Sequence, residues 1–129
     1  MVQIVHYPLF ALVGQDNFCS YEERHCALIS LIVGPVMLFE LVTAIAFTFI
    51  HPKQVRTFES VLSLCLLAGI WLSTLLFQIP QHAALRDSFD TNALAGLVSL
   101  NWIRTVLWTI KSALVLIFSY RCLSKNISE

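Results

Sequence analysis

The chain has 129 residues, 57% of them hydrophobic and 12% charged, against about 45–50% and about 25% in an ordinary soluble domain. With half the usual charge missing, a solvated surface for a globule of this size cannot be assembled, which excludes a soluble enzyme, a disordered tail and a nucleic-acid binder with a basic face. The 8 basic and 8 acidic side chains cancel, so net charge names no partner and only the positions of the charges carry information.

The composition predicts an all-α integral membrane helical bundle, one transmembrane domain over residues 1–129. Crossing the hydrocarbon takes about 20 mostly apolar residues in a helix, because every backbone amide must be satisfied internally. Met1 to Gly14 is apolar but has neither the basic start nor the small-residue cleavage site of a signal peptide. It reads as a partial helix at about 2–14, since the twelve residues Val2 to Val13 reach about 18 Å against about 30 Å of hydrocarbon. That length fits an interfacial or re-entrant helix, or the end of a spanning helix that begins upstream of Met1.

Three full spans follow, at about 27–50, 60–80 and 94–120. The first is interrupted only by Glu40 and closed by His51-Pro52; the second is closed by Gln78-Ile79-Pro80; the third contains Arg104 and Lys111. Proline after the first two predicts that each helix stops there. Gln81 to Asp90 reads as a loop with one helical turn carrying His82 and Arg86, and Asp90 or Thr91 as the N-cap of the third span. No internal repeat or low-complexity linker is present.

Lys53, Arg56, Arg121 and Lys125 lie at one face, Arg24 and Arg86 at the other. The positive-inside rule then places the 51–59 loop and the C-terminus in the cytoplasm of a multi-pass cell-membrane protein. The opposite face holds Asp16, Glu22, Glu23, His25, His82, Asp87 and Asp90, and is acidic and histidine-bearing.

Charges inside the spans need partners. Glu40 and Lys111 fall at matched depth, about 20 Å from that face, where each alone would cost about 2.5–3.5 kcal/mol; an intramembrane ion pair is expected, serving as a lock or as a relay. Asn101, Arg104, Trp108 and Lys111 recur at helical spacing and predict one polar stripe. On it Arg104, with Asn101, can either satisfy exposed carbonyls or orient an anionic or carbonyl group. Trp102 reads as an interfacial belt residue, His51 as a cap.

Glu22 and His25 form one E-x-x-H element, half of the pattern that di-metal bundles use twice. With His82 and His6 at the same face, the set suits a transition metal, or two of the imidazoles suit haem; solvated loop histidines are the alternative, with no cofactor. Cys19, Cys26, Cys65 and Cys122 have no CxxC spacing and read as free thiols, Cys19 and Cys26 being about 10 Å apart on a helix. No nucleophile elbow, phosphate loop, dinucleotide fingerprint or zinc-protease motif is present.

The stretches His6-Tyr7-Pro8-Leu9-Phe10, Tyr21-Glu22-Glu23-Arg24-His25, Gly34-Pro35-Val36-Met37-Leu38-Phe39-Glu40, Gln78-Ile79-Pro80-Gln81-His82 and Asn101-Trp102-Ile103-Arg104-Thr105 resemble a family of small bacterial polytopic membrane proteins with no assigned function. More remotely, the turn after proline and the Asn-x-x-Arg-Thr helix are similar to the anthrone-oxygenase-like family of four-helix membrane proteins. The first resemblance implies a four-helix up-down bundle in which the His6 segment ends the first helix, so that the front of that helix is missing here. The second implies oxygenation of a polycyclic aromatic without a bound cofactor, although the histidines and the Glu40–Lys111 pair depart from that pattern.

Three functions are therefore in play. A pocket of His6, Glu22, His25, His82, Asn101 and Arg104 near the non-cytoplasmic face would bind a metal, haem or a small anionic or carbonyl ligand. A scaffold or accessory subunit of a membrane complex would use the same residues only for packing. A proton-coupled carrier would switch at Glu40 and Lys111, and at this length would need a second copy to enclose a path. The bilayer is the expected partner, with a homo-oligomer or larger membrane complex beside it and no nucleic acid.

Overall fold

The computed structural model describes the backbone of residues 2–10 and 12–127 and the side chains of 3–10 and 12–124. Met1, Ala11 and the Lys125 side chain, which enter the expectations above, lie outside the described residues.

The described secondary structure is entirely helical. A short helix, α1 (residues 2–10), opens with a π-helical turn at Val2–His6 and continues as Tyr7–Phe10. It is followed by α2 (Gln15–Phe49), α3 (Thr57–Asp87) and α4 (Thr91–Ile127). Three helices are long and apolar enough to cross a membrane: Gln15–Phe49, Thr57–Asp87 and Thr91–Ser124. At about 1.5 Å per residue all three are longer than the roughly 30 Å of hydrocarbon, so their ends extend past it. Leu31, Ile32, Phe39, Val42 and Leu116 are exposed around the bundle. Such a surface suits lipid rather than water.

The boundaries differ instructively from the sequence expectation. α2 begins at Gln15, twelve residues before the apolar run, so Glu22 and His25, expected on one helical face, stand on the same helix as the first span. Pro52 does follow a helix end, but Pro80 does not stop α3. Immediately before it, Thr74–Gln78 form a π-helical turn in which the Ile79 N–H bonds to the Thr74 carbonyl, and the helix runs on to Asp87. Proline lacks an N–H and its ring crowds the carbonyl four residues back; the wider turn gives that ring room. A π-helical turn precedes Pro8 in α1 as well. The expected 81–90 loop thus shrinks to residues 88–90, and His82 is held on a helix.

α3 is the central helix, packed on both α2 and α4. Gly69 and Gly96 mark its close approach to α4. A Cβ at Gly69 would lie 3.2 Å from Leu107 Cδ1, and one at Gly96 would lie 2.9 Å from Gln81 Nε2. Asp90 starts α4, its Oδ1 accepting the Asn92 N–H at 2.8 Å, as an N-cap carboxylate does. At the other end Arg121 Nη1 donates to both oxygens of Glu59 at 2.8 and 3.0 Å.

Two apolar clusters hold the bundle. Tyr7, Phe10, Phe18, Leu85, Leu94 and Leu97 pack at the end that carries α1; Met37, Leu67 and Ile70, with Trp71, Leu107 and Trp108, pack mid-bundle. Beside this packing, the buried Gln3 side chain ties α1 to α4 by hydrogen bonds. Gln3 Nε2 donates to the Val98 carbonyl at 2.9 Å, and Gln3 Oε1 accepts from Asn101 Nδ2 at 2.7 Å.

Candidate functional site

The end of the bundle that holds α1 also gathers its unusual polar side chains. α1 supplies His6 and Tyr7, the first turns of α2 supply Glu22, His25 and Cys26, and α3 beyond its π-helical turn supplies Gln78 and His82. Residues far apart in sequence therefore meet because α2 starts well before its apolar run and α3 continues where the sequence suggested a loop.

Glu22 is the innermost of these, fully buried. Its Oε1 accepts from His82 Nδ1 and from Cys26 Sγ, the latter at 3.3 Å, while its Oε2 is buried without a partner. His6 Nε2 and His25 Nδ1 share a hydrogen bond of 3.3 Å, so one of the two nitrogens carries the proton. The rings pack in an aromatic frame: Phe10 meets His6 and His25 edge-on at 4.9 and 5.1 Å between centroids, and Tyr21 stacks parallel to His25 at 6.2 Å. Burial pushes the Tyr7 phenol up to about 12, although the Arg104 guanidinium pulls it down; its O–H remains a donor.

Beside this cluster is a cavity of about 460 Å³ between α2 and α3, whose polar walls include His6, His25, His82 and Arg104. The remaining walls are largely apolar, among them Ile29, Val33, Met37 and Leu75. Arg104 Nε, Gln78 Nε2 and Trp71 Nε1 are each buried without an acceptor, and all three residues line the cavity. Buried donors are ordinarily paired, because leaving one bare costs about 1–3 kcal/mol. Three residues that line the cavity thus each carry a buried donor with no acceptor among the described residues.

Of the residues expected in the pocket, His6, His25, His82 and Arg104 line the cavity, and Glu22 stands behind His82. Asn101 does not line it; its amide is committed to Gln3 and anchors α1, a correction to its expected place beside Arg104. The polar stripe on α4 faces inward: Asn101 and Lys111 are buried, Arg104 and Trp108 half-buried, while Trp102 points outward. Glu40 and Lys111 meet at 2.5 Å between Lys111 Nζ and Glu40 Oε1, with 18% and 8% of their side chains exposed. This pair borders a separate groove of about 500 Å³ with Phe47, Ser63 and Phe118.

The sequence places Gln78 just below His82 but does not single out Cys26 or Trp71 as members of the site. A signal for Cys26 exists, since it is one helical turn beyond Glu22 and shares its face; the π-helical turn between Trp71 and Gln78 shifts the phase that their spacing suggests. All four cysteines are free, as their spacing predicts. No protein family, curated protein or solved structure matches this chain, so the argument for function rests on its own residues.

Proposed function

We propose that this is a multi-pass protein of a bacterial cell membrane that binds a small, largely apolar molecule carrying a carbonyl or carboxylate oxygen in the cavity between α2 and α3. The observation that carries the reading is the set of unpaired buried donors, Arg104 Nε, Gln78 Nε2 and Trp71 Nε1, on residues that line a largely apolar cavity of about 460 Å³. Cavities of about 300–1,000 Å³ with a few converging polar groups are typical of small-molecule sites. A ligand oxygen would satisfy donors that are otherwise bare, and a guanidinium suits a carboxylate in particular. The charge distribution supports an orientation with the C-terminus in the cytoplasm. Lys53, Arg56 and Arg121 are at one end, against Arg24 and Arg86 beside the cavity end.

Titration of the detergent-purified protein with 1,4-naphthoquinone and, separately, 2-naphthoate tests the reading by calorimetry. At least one of them is expected to bind saturably, and Arg104→Gln to weaken that binding about tenfold, the loss of roughly 1.4 kcal/mol. Binding of neither probe, or equal binding by Arg104→Gln, would reject it.

A further inference from the structure

Glu22, Cys26 and His82 bring a carboxylate oxygen, a sulfur and an imidazole nitrogen within 4.8 Å of one another. Glu22 and Cys26 stand one turn apart on α2, and His82 reaches them from α3. The Glu22 carboxylate is fully buried, yet its Oε2 has no partner. An ionised carboxylate accepts at about four lone-pair positions, so the hydrogen bonds from His82 and Cys26, both to Oε1, leave much of its charge uncompensated.

We propose that these three side chains bind one transition-metal ion of the zinc type, with a fourth coordination position toward the cavity that Cys26 and His82 line. Zinc bonds of about 2.0–2.3 Å in tetrahedral array set donor atoms roughly 3.3–3.8 Å apart, and Cys26 Sγ is 3.3 Å from Glu22 Oε1. The ion replaces the two hydrogen bonds to Glu22 Oε1. Cys26 gives up its thiol proton to solvent and binds as thiolate; the Nδ1 proton of His82 likewise passes to solvent, and the imidazole binds neutral through Nδ1 with its one proton on Nε2. A thiolate with an imidazole selects against magnesium and calcium, which take oxygen ligands. The geometry favours a compact ion over haem. The paired histidines, His6 and His25, have ring centroids 4.7 Å apart and nitrogens in hydrogen-bond contact, with no slot for a macrocycle between them. The inference stands apart from the organic-ligand reading, because none of its ligands is Arg104, Gln78 or Trp71.

Cobalt(II) is a visible probe for such a site. Metal-free protein titrated with cobalt alone is expected to saturate at one ion per chain, with a thiolate-to-cobalt charge-transfer band that zinc abolishes. Cys26→Ser should lose the band while Cys65→Ser, altered on the exposed side of α3, keeps it. His82→Ala should weaken cobalt binding more than tenfold; if that variant does not fold, the two serine variants decide the question by themselves. Absence of saturable cobalt binding, or a band that survives in Cys26→Ser, overturns the proposal and leaves Glu22, Cys26 and His82 as a hydrogen-bonded packing cluster only.

Discussion

His82 on α3 donates from Nδ1 to the fully buried carboxylate of Glu22 on α2, a residue 60 positions earlier in the chain. This bond joins the two helices that enclose the cavity and sets the histidine at its edge. Removing the donor from a buried acceptor typically costs about 1–3 kcal/mol, because the carboxylate is left bare. His82→Ala should therefore lower unfolding stability in detergent by about that amount. Glu22→Gln/His82→Ala, which removes both the charge and its partner, should recover part of the loss. A double variant no better than His82→Ala would show that the bond does not hold these helices.

The Glu40–Lys111 pair invites the same test with a different expectation. Its side chains are largely buried and Glu40 Oε2 has no partner among the described residues. Glu40→Gln and Lys111→Met should each lower the thermal midpoint, and the double variant should regain most of it, since replacing both members of a buried pair is often neutral. If the double variant is less stable than either single one, the two residues are not energetic partners.

α1 depends on Gln3 and Asn101. Their mutual hydrogen bond is buried, and Gln3 also caps the Val98 carbonyl. Asn101→Ala should cost about 1–3 kcal/mol by leaving Gln3 Oε1 unsatisfied. The predicted signature is faster amide hydrogen exchange confined to residues 2–10, with α2 to α4 unchanged. Uniform acceleration through all four helices would instead place Asn101 in the global core.

The π-helical turn at Thr74–Gln78 makes a further demand. Such a turn takes one residue more than an α-helical turn, so deleting exposed Leu76 should restore regular helix and leave His82 opposite Glu22, at a cost of about 3 kcal/mol for crowding the proline ring against the carbonyl four residues back. Deleting Leu62 from the regular part of α3 should instead rotate everything on one side by about 100° and collapse stability. Equal thermal midpoints for the two deletions would contradict this account of Pro80.

Periodicity made much of this molecule legible in the sequence. Hydrophobic length and the sparse charges gave three spans and an all-helical bundle, and the spacing of Asn101, Arg104, Trp108 and Lys111 gave an inward polar stripe. The same spacing brought Glu22 and His25 onto one face. Pro80 misled because a stop signal and a π-helical turn look alike in one sequence; the turn is defined by which carbonyl the Ile79 N–H finds. Asn101 was displaced from the pocket for a related reason, since helical phase gives its face but not that Gln3 occupies its amide. Cys26 escaped because a lone thiol reads as apolar filling until His82 is known to arrive from another helix.

The account rests most heavily on the donors around the cavity, and Trp71 reports on them directly. In a nitrogen-15 proton spectrum of the detergent-solubilised protein, the Trp71 indole N–H should shift on saturation with whichever naphthyl probe binds. Trp102, which faces outward, should not. A Trp71 resonance unmoved at saturation, or a Trp102 resonance that moves as far, would contradict a ligand bound in the cavity between α2 and α3.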